Sequence, residues 1–508
     1  MNDVKKGRVD MSTIAPQPTA SGGDKPATST GGKPPGGGDE RLSATRELED
    51  QFGYKQELKR SLSVWELTAF GLNYMIPIAP AIIFGLILTE SKGTVAIPYA
   101  IAGVAMVFTA MSYGAMVQNF PLAGSIYNYV SRGLNVHVGF LAGWVLILDY
   151  VLIPTVTSVS ASLYIRQFFP QVPFWTWLLV FAVAMGLLNL FGVELMAKLG
   201  LWLLLMGEIV IFVGFVMWIY AAHHYHLPII TSKPFHVGSF SGMMTATSVA
   251  VLSYLGFDAV TTLSEETNNP RRDVPRAVYL SVIIGAGTMI LTGYFGMLLI
   301  PNWLKYANNT NWVNTTLFQT AKLVPGAWFH IFYTVGFLIA MGVFNVVATA
   351  AGARLLYGMG RDGMLPRSIF GQINKRYQTP HWNIIVIVTL EYILGVWLGL
   401  GRIATLINYG ALGGFASLNF GVFWLYYIKK TGVSPYKLGN TPNWRPSGLL
   451  QHLRYLLCPF LGVFVVVWVW TSMDHVTLIV GTTWLVVGIV YEAILTHGYR
   501  TLPPKLEL

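Results

Sequence analysis

Charge is scarce in this chain. Only 11% of its 508 residues are Asp, Glu, Lys or Arg, while 54% are hydrophobic. Together with a mean hydropathy of +0.53, this excludes a soluble fold, because one core could not hide so much apolar surface. Cysteine is almost absent. The single Cys458 excludes an intrachain disulfide and says nothing about redox compartment. Long polar stretches are missing beyond the first sixty residues. The longest, Pro301–Gly326 and Lys429–His452, run to about 25 residues, too few for a catalytic domain. No P-loop, HExxH or GxSxG occurs, so no enzymatic motif competes with a membrane function. GMGRDG at Gly358–Gly363 follows a membrane helix rather than a strand and is not a dinucleotide loop. HHYH at His223–His226 fits no standard zinc spacing. Residues 1–60 hold no apolar run and are rich in Gly, Pro, Ser and Thr, with GGKPPGGG at Gly31–Gly38. A disordered cytoplasmic tail without a cleavable signal peptide is the expectation.

What the chain does have is apolar runs long enough to cross a bilayer, about twelve of them. They fall near 64–88, 95–117, 136–165, 173–190, 195–221, 239–267, 275–300, 327–357, 382–399, 402–428, 453–472 and 475–497. The net charge of +10 sits mostly in short loops, so it marks topology rather than nucleic-acid binding. Inner flanks would carry Arg132, Lys198, Arg271, Arg272, Arg276, Arg361 and Arg454, among others. The outer ones would carry only Lys92, Arg166, Lys233, Lys305, Lys322 and Arg402. The positive-inside rule thus predicts a multi-pass protein of the cytoplasmic (inner) membrane with both termini in the cytoplasm.

Two spans are interrupted. The first reads WELTAFGLNYMIPIAPAIIFGLIL, with Asn73 at mid-depth and Pro77 and Pro80 each removing a backbone donor. Unwound backbone at that depth is tolerated only where it lines a cavity. The sixth, VLSYLGFDAVTTLSEETNNPRRDVPR at Val251–Arg276, passes Ser253 and Tyr254, meets Gly256 and then places Asp258. A carboxylate at such a depth costs roughly 2.5–3.5 kcal/mol to insert. Broken helices that each open a five-span block are the sign of an inverted-repeat transporter. The repeats would be 61–225 and 236–430, with two further spans over 450–498. Together these predict an all-α membrane protein of about twelve spans with a 5+5 inverted repeat and two extra helices.

The chain resembles the amino acid–polyamine–organocation superfamily. LGFDAVTTLSEETNNPRRDVPRA at Leu255–Ala277, FPLAGSIYNYVSRGLNVHVGFLAGWVLILDY at Phe120–Tyr150 and GARLLYGMGRDGMLP at Gly352–Pro366 carry the resemblance. Bacterial putrescine importers look most similar, through GFDAVTTLSEET and NVHVGF at Asn135–Phe140. The resemblance implies a LeuT-type fold, a substrate site at the unwound stretches, and uptake driven by protons or sodium or by exchange. No other cofactor is implied. Many such permeases hold a substrate carboxylate on a Gly-x-Gly stretch in the first span, whereas Asn73–Pro80 contains no glycine. That departure shifts weight towards an amine or diamine. Putrescine importers can also carry an aspartate in the second half of this span, where Pro80–Ala81–Ile82 has no acid. The substrate class therefore stays between amino acid and polyamine.

Individual residues take roles within this reading. Asp258 gates or binds a cationic group, or caps the second half-helix. Asp149, in the middle of the third span, is an ammonium partner, a proton carrier, or a hydrogen-bonding link to another helix. By resemblance to arginine/agmatine antiporters, Gly143, Ile147 and Tyr150 line the pocket beside it. Glu208 is a proton site, or an acid facing an internal water or polar neighbour. Some relatives use a lysine for sodium coupling at what is Gly207 here. Glu265 and Glu266, next to Arg271, Arg272 and Arg276, form a cytoplasmic gate or a plain surface cluster. Tyr74, Tyr254 and Phe344 are aromatic lids over an ammonium, or packing. A secondary transporter of an amine-bearing solute is the leading expectation, with a membrane-embedded sensor as the alternative.

Overall fold

A computed structural model describes residues 61–75, 79–121, 126–191, 194–326, 328–361, 363–374, 379–430 and 446–501. Among these the chain is helical throughout, and the only β feature is an isolated bridge between Leu62 and Thr267. Among the described residues, nine helical stretches are long and apolar enough to cross a bilayer, and three shorter apolar helices accompany them. Each interval read from the sequence overlaps helical structure. In a bilayer this is the expected outcome, because a helix satisfies its own backbone where water is missing.

The first span is two helices, α1 (Val64–Tyr74) and α2 (Pro80–Ser91). Ser63 starts α1 with a capping box, its amide donating to the Glu66 carboxylate at 2.8 Å. Then come α3 (Ala96–Asn119), α4 (Ile126–Gly133), α5 (Val136–Arg166), α6 (Phe174–Phe191) and α7 (Glu194–His224). Asn135 caps α5 by accepting from the His137 amide at 2.8 Å. The sixth span is α8 (Phe240–Ala250), capped by Ser239, followed by two 3-10 segments, Val251–Tyr254 and Phe257–Glu266.

The rest is α9 (Pro270–Leu298), α10 (Thr310–Asn314), α11 (Thr316–Lys322), α12 (Trp328–Arg361), α13 (Arg367–Phe370), α14 (His381–Trp397) and α15 (Leu400–Phe423). It closes with α16 (Leu449–His452), α17 (Cys458–Thr471) and α18 (His475–Leu495). The small helices α4, α10, α11, α13 and α16 lie outside the intervals read from the sequence. They are short and amphipathic or polar, so a search for apolar runs passes over them.

Packing sets up the site. The two interrupted spans lie side by side and antiparallel: α2 packs on α8, while α1 packs on the 3-10 segment Phe257–Glu266. Around them α3 lies along α9, and α5 lies between α15, α12 and α14. Interior polar residues such as Thr109, Thr157, Ser160 and Ser162 donate to carbonyls three or four residues back. Such bonds hide the hydroxyl in a dry bundle. Large apolar side chains stand exposed on the periphery, among them Phe212 on α7, Trp397 on α14, and Ile479 and Ile494 on α18. That is the surface a lipid bilayer covers.

Candidate functional site

The two breaks meet. Helix α1 ends at Tyr74, and Met75 closes it with its amide on Gly71 O and Asn73 O. Pro77 lies outside the described residues, and Pro80 begins α2 at a position where a missing amide costs nothing. Opposite, Leu255 is extended and Gly256 takes φ +109°. A β-carbon on Gly256 would stand 2.5 Å from the Tyr74 carbonyl oxygen and 2.7 Å from its ring. Glycine is thus required there both for its backbone angle and for the close approach.

Just past Gly256, Asp258 accepts a hydrogen bond from the Tyr113 hydroxyl of α3 at 3.0 Å. The backbone at Gly256, Asp258 and Ala259 also acts electrostatically on its carboxylate. A carboxylate gathered at the opening of a helical turn in this way serves the free amides there. Tyr113 is itself held edge-on by Tyr129, Phe257 and Phe415.

Asp149 faces the same region from α5. It is half-buried, and its Oδ1 is buried with no hydrogen-bond partner. Asp149 and Asp258 act on one another electrostatically, and both act on the Tyr74 and Tyr150 hydroxyls. Arg354 of α12 acts on Tyr74 as well. Tyr74 packs edge-on against Phe344 of α12, ring centres 5.8 Å apart. Asn73, Tyr74, Asp149, Tyr150 and Asp258 all keep some accessible surface although they lie mid-bundle. The structure therefore brings together two carboxylates, a set of aromatic rings and a double helix break. Such a place can receive a cation whose charge offsets the acids and whose methylenes pack on the rings.

Other expected residues lie elsewhere or act differently. Tyr254 is no lid: it is fully buried, and its hydroxyl donates to Tyr99 O at 2.7 Å. The 3-10 winding of Val251–Tyr254 turns its ring onto α3, so the side chain is spent on packing. Ser253 likewise faces Tyr99, with Oγ 3.2 Å from that hydroxyl. Their contribution to the break is through backbone. Gly143 lies against Tyr127, and Ile147 packs in an apolar cluster with Trp144, Val151, Leu356 and Ile387.

Glu208 on α7 is half-buried beside the exposed Ile209, and among the described residues no charged group of another element acts on it. The Glu266 carbonyl accepts the amides of Ser61 and Leu62 at 2.8 and 3.0 Å, tying the entry of α1 to the end of the sixth span. The side chain of Glu265 falls outside the described residues. Among the described residues, no group of three or more His, Cys, Asp or Glu side chains is placed to hold a metal ion.

Tyr113 and Tyr129 escaped the sequence reading, and Arg354 enters it only as a basic residue of an inner flank. Their roles come from proximity across the fold, and a single tyrosine in an aromatic-rich chain carries no signal of its own.

Comparison with known proteins agrees in outline. A family model described as Amino acid permease matches residues 70–494. The chain is 29% identical over 455 residues to the low-affinity putrescine importer PlaP of Escherichia coli (strain K12), covering 89% of this chain and 97% of that protein. It is 24% identical over 468 residues to the branched-chain amino acid permease BcaP of Bacillus subtilis (strain 168), covering 88% and 95%. A methylthioribose transporter of the same bacterium is 24% identical over 452 residues, covering 85% and 92%.

Proposed function

The chain belongs to the amino acid permease family, a family of multi-pass membrane transporters rather than enzymes, and from that premise we propose that it imports an amine-bearing solute, a polyamine or an amino acid, across the cytoplasmic membrane. The observation that carries this reading is the unpartnered Asp149 Oδ1, set opposite Asp258 beside the double break. An ammonium group bound there would satisfy the bare oxygen and relieve the repulsion between two acids in a dry bundle. Asp258 is already served by Tyr113 and by the backbone around it, so Asp149 is the acid with capacity to spare. Tyr74, Tyr150 and Phe344 supply rings for the solute's methylenes and charge.

Access alternates through the breaks. Because α1 and the segment Phe257–Glu266 are each separated from their outer halves, they can tilt without tearing the hydrogen-bond ladders of α2 and α8. Import is driven by protons or proceeds by exchange, and both termini lie in the cytoplasm, as the distribution of basic residues indicates. The two relatives whose names mention putrescine and branched-chain amino acids mark the two substrate classes to test.

The test is uptake of labelled putrescine, spermidine and a panel of amino acids by proteoliposomes, with and without an imposed proton gradient. Accumulation or exchange of at least one solute, lost in Asp149→Asn, is the expected result. Binding without any movement of the panel would leave a sensor in place of a transporter.

A further inference from the structure

One buried acid lies outside the site just described. Glu391 is in the middle of α14, fully buried, within the apolar run HWNIIVIVTLEYILGVW. Its Oε1 accepts from the Ser158 hydroxyl of α5 and from Nδ2 of Asn345 of α12, the latter at 3.0 Å. Its Oε2 is buried with no partner. Ser158 and Asn345 are the groups that act on it electrostatically; no charged or titratable side chain of α5, α6, α12 or α15 among the described residues does so.

The surrounding network has more acceptors than protons. The Asn345 amide nitrogen has two hydrogens, yet it lies 2.9 Å from Pro154 O and 3.0 Å from each of Thr157 Oγ1, Ser158 Oγ and Glu391 Oε1. Four oxygens around one amide leave the donors more than one arrangement, and one added proton decides among them. With Glu391 ionised, Ser158 and Asn345 both donate to it. With Glu391 protonated, the carboxyl can donate to Ser158 Oγ, and the serine hydroxyl no longer donates to Oε1.

The network sits on the two helices that also carry the substrate region. Asn345 follows Phe344, which packs on Tyr74, and Ser158 follows Asp149 along α5 with Pro154 between them. Pro154 has no amide to give Tyr150, so the α5 ladder is already interrupted between Asp149 and Ser158. Helices α5 and α12 are therefore joined at Glu391 by bonds whose pattern depends on one proton, next to a point where α5 can bend.

We propose that Glu391, held by Ser158 and Asn345, carries the proton that is coupled to solute movement. The step is a plain proton transfer. An O–H bond forms on the Glu391 carboxylate as hydronium from the outer solution gives up its proton, and the reverse transfer to water follows on the inner side. Because Glu391 has no accessible surface in this conformation, water reaches it only when α14 parts from α5 and α12. Proton exchange is in this way confined to particular conformations, which is the requirement for coupling.

The inference rests on the reading of the protein as a proton-driven transporter, and the experiment has an arm that does not. In liposomes holding the full chain, the infrared difference spectrum between acid and alkaline buffer is expected to contain a protonated-carboxyl band that is missing in Glu391→Gln. An unchanged band in that variant overturns the proposal whether or not any solute moves.

In the transport arm, Glu391→Gln is expected to exchange labelled solute for unlabelled but to fail to concentrate it under a proton gradient. Accumulation equal to wild type overturns the proposal, as does accumulation driven by a sodium gradient and indifferent to pH. Ser158→Ala keeps the carboxyl and removes one donor. It is expected to shift the midpoint of the pH profile of uptake, and an unmoved midpoint counts against Glu391 even if the glutamine variant fails to fold.

Discussion

Gly256 and Tyr74 are where the two interrupted helices touch: the Tyr74 carbonyl oxygen stands 2.5 Å from where a Gly256 β-carbon would be. The contact is backbone to backbone, so it cannot yield by a rotamer change. With φ at +109° as well, Gly256→Ala must either push α1 away or refold the break. Conformational strain of this kind costs on the order of 1–3 kcal/mol, before the steric term is added. The expected outcome is a lowered melting temperature and at least a tenfold loss of uptake. Gly287→Ala is the control, since its added methyl meets nothing within 4 Å and an exposed helical glycine gains roughly 0.5–1 kcal/mol from the change. Equal behaviour of the two variants would show that the close approach does not matter.

The Tyr113–Asp258 bond is the next link outward. Tyr113→Phe leaves a half-buried carboxylate one donor short, an effect of about 1–3 kcal/mol. A double-mutant cycle with Asp258→Asn, followed by thermal melts in detergent, isolates it. The cost of Tyr113→Phe is expected to shrink on the Asp258→Asn background. Strict additivity would mean that the bond contributes nothing.

Most of the fold was readable from apolar runs, and the breaks were readable because Gly and Pro act locally. Their meeting point was not. Whether Tyr74 faces Gly256, or Tyr113 reaches Asp258 across 145 positions, is decided by tertiary packing that no local pattern encodes. Tyr254 shows the same limit from another direction. Once the winding changes from α to 3-10 and then to an extended residue, a side chain's direction cannot be projected along the usual helical period. Glu391 differs. It carried the same signal as Asp149, an acid within an apolar run, and was open to the same inference.

Asp149 and Glu208 separate two explanations of solute recognition. Asp149 shares its surroundings with Asp258, Tyr74 and Tyr150, whereas Glu208 lies apart from that cluster. Asp149→Asn is expected to lower amine uptake by more than about 100-fold, the loss of a desolvated charge contact of roughly 3 kcal/mol. Glu208→Gln should stay within about fivefold of wild type, a difference of roughly 1 kcal/mol. Initial rates over a range of putrescine or amino acid concentrations check this. Wild-type rates in both variants would remove these carboxylates from recognition.

The seam between α5 and α18 offers a prediction about stability. His137, at the start of α5, lies 2.9 Å from the Glu492 carboxylate of α18 through Nδ1. Glu492 is fully buried, and its second oxygen has no partner. Two turns along α5, Trp144 donates to the Trp484 carbonyl at 2.9 Å, and Trp484 returns the bond to the Trp144 carbonyl at 3.1 Å. Their rings stack with centres 4.7 Å apart. His137→Ala removes the group that serves the buried carboxylate and should cost about 1–3 kcal/mol. Glu492→Gln should cost less, because a neutral amide in that place is cheaper to leave partly unpaired. A thermal melt in detergent should show His137→Ala unfolding first. If it melts with wild type, the His137–Glu492 contact contributes nothing to holding α18 in place.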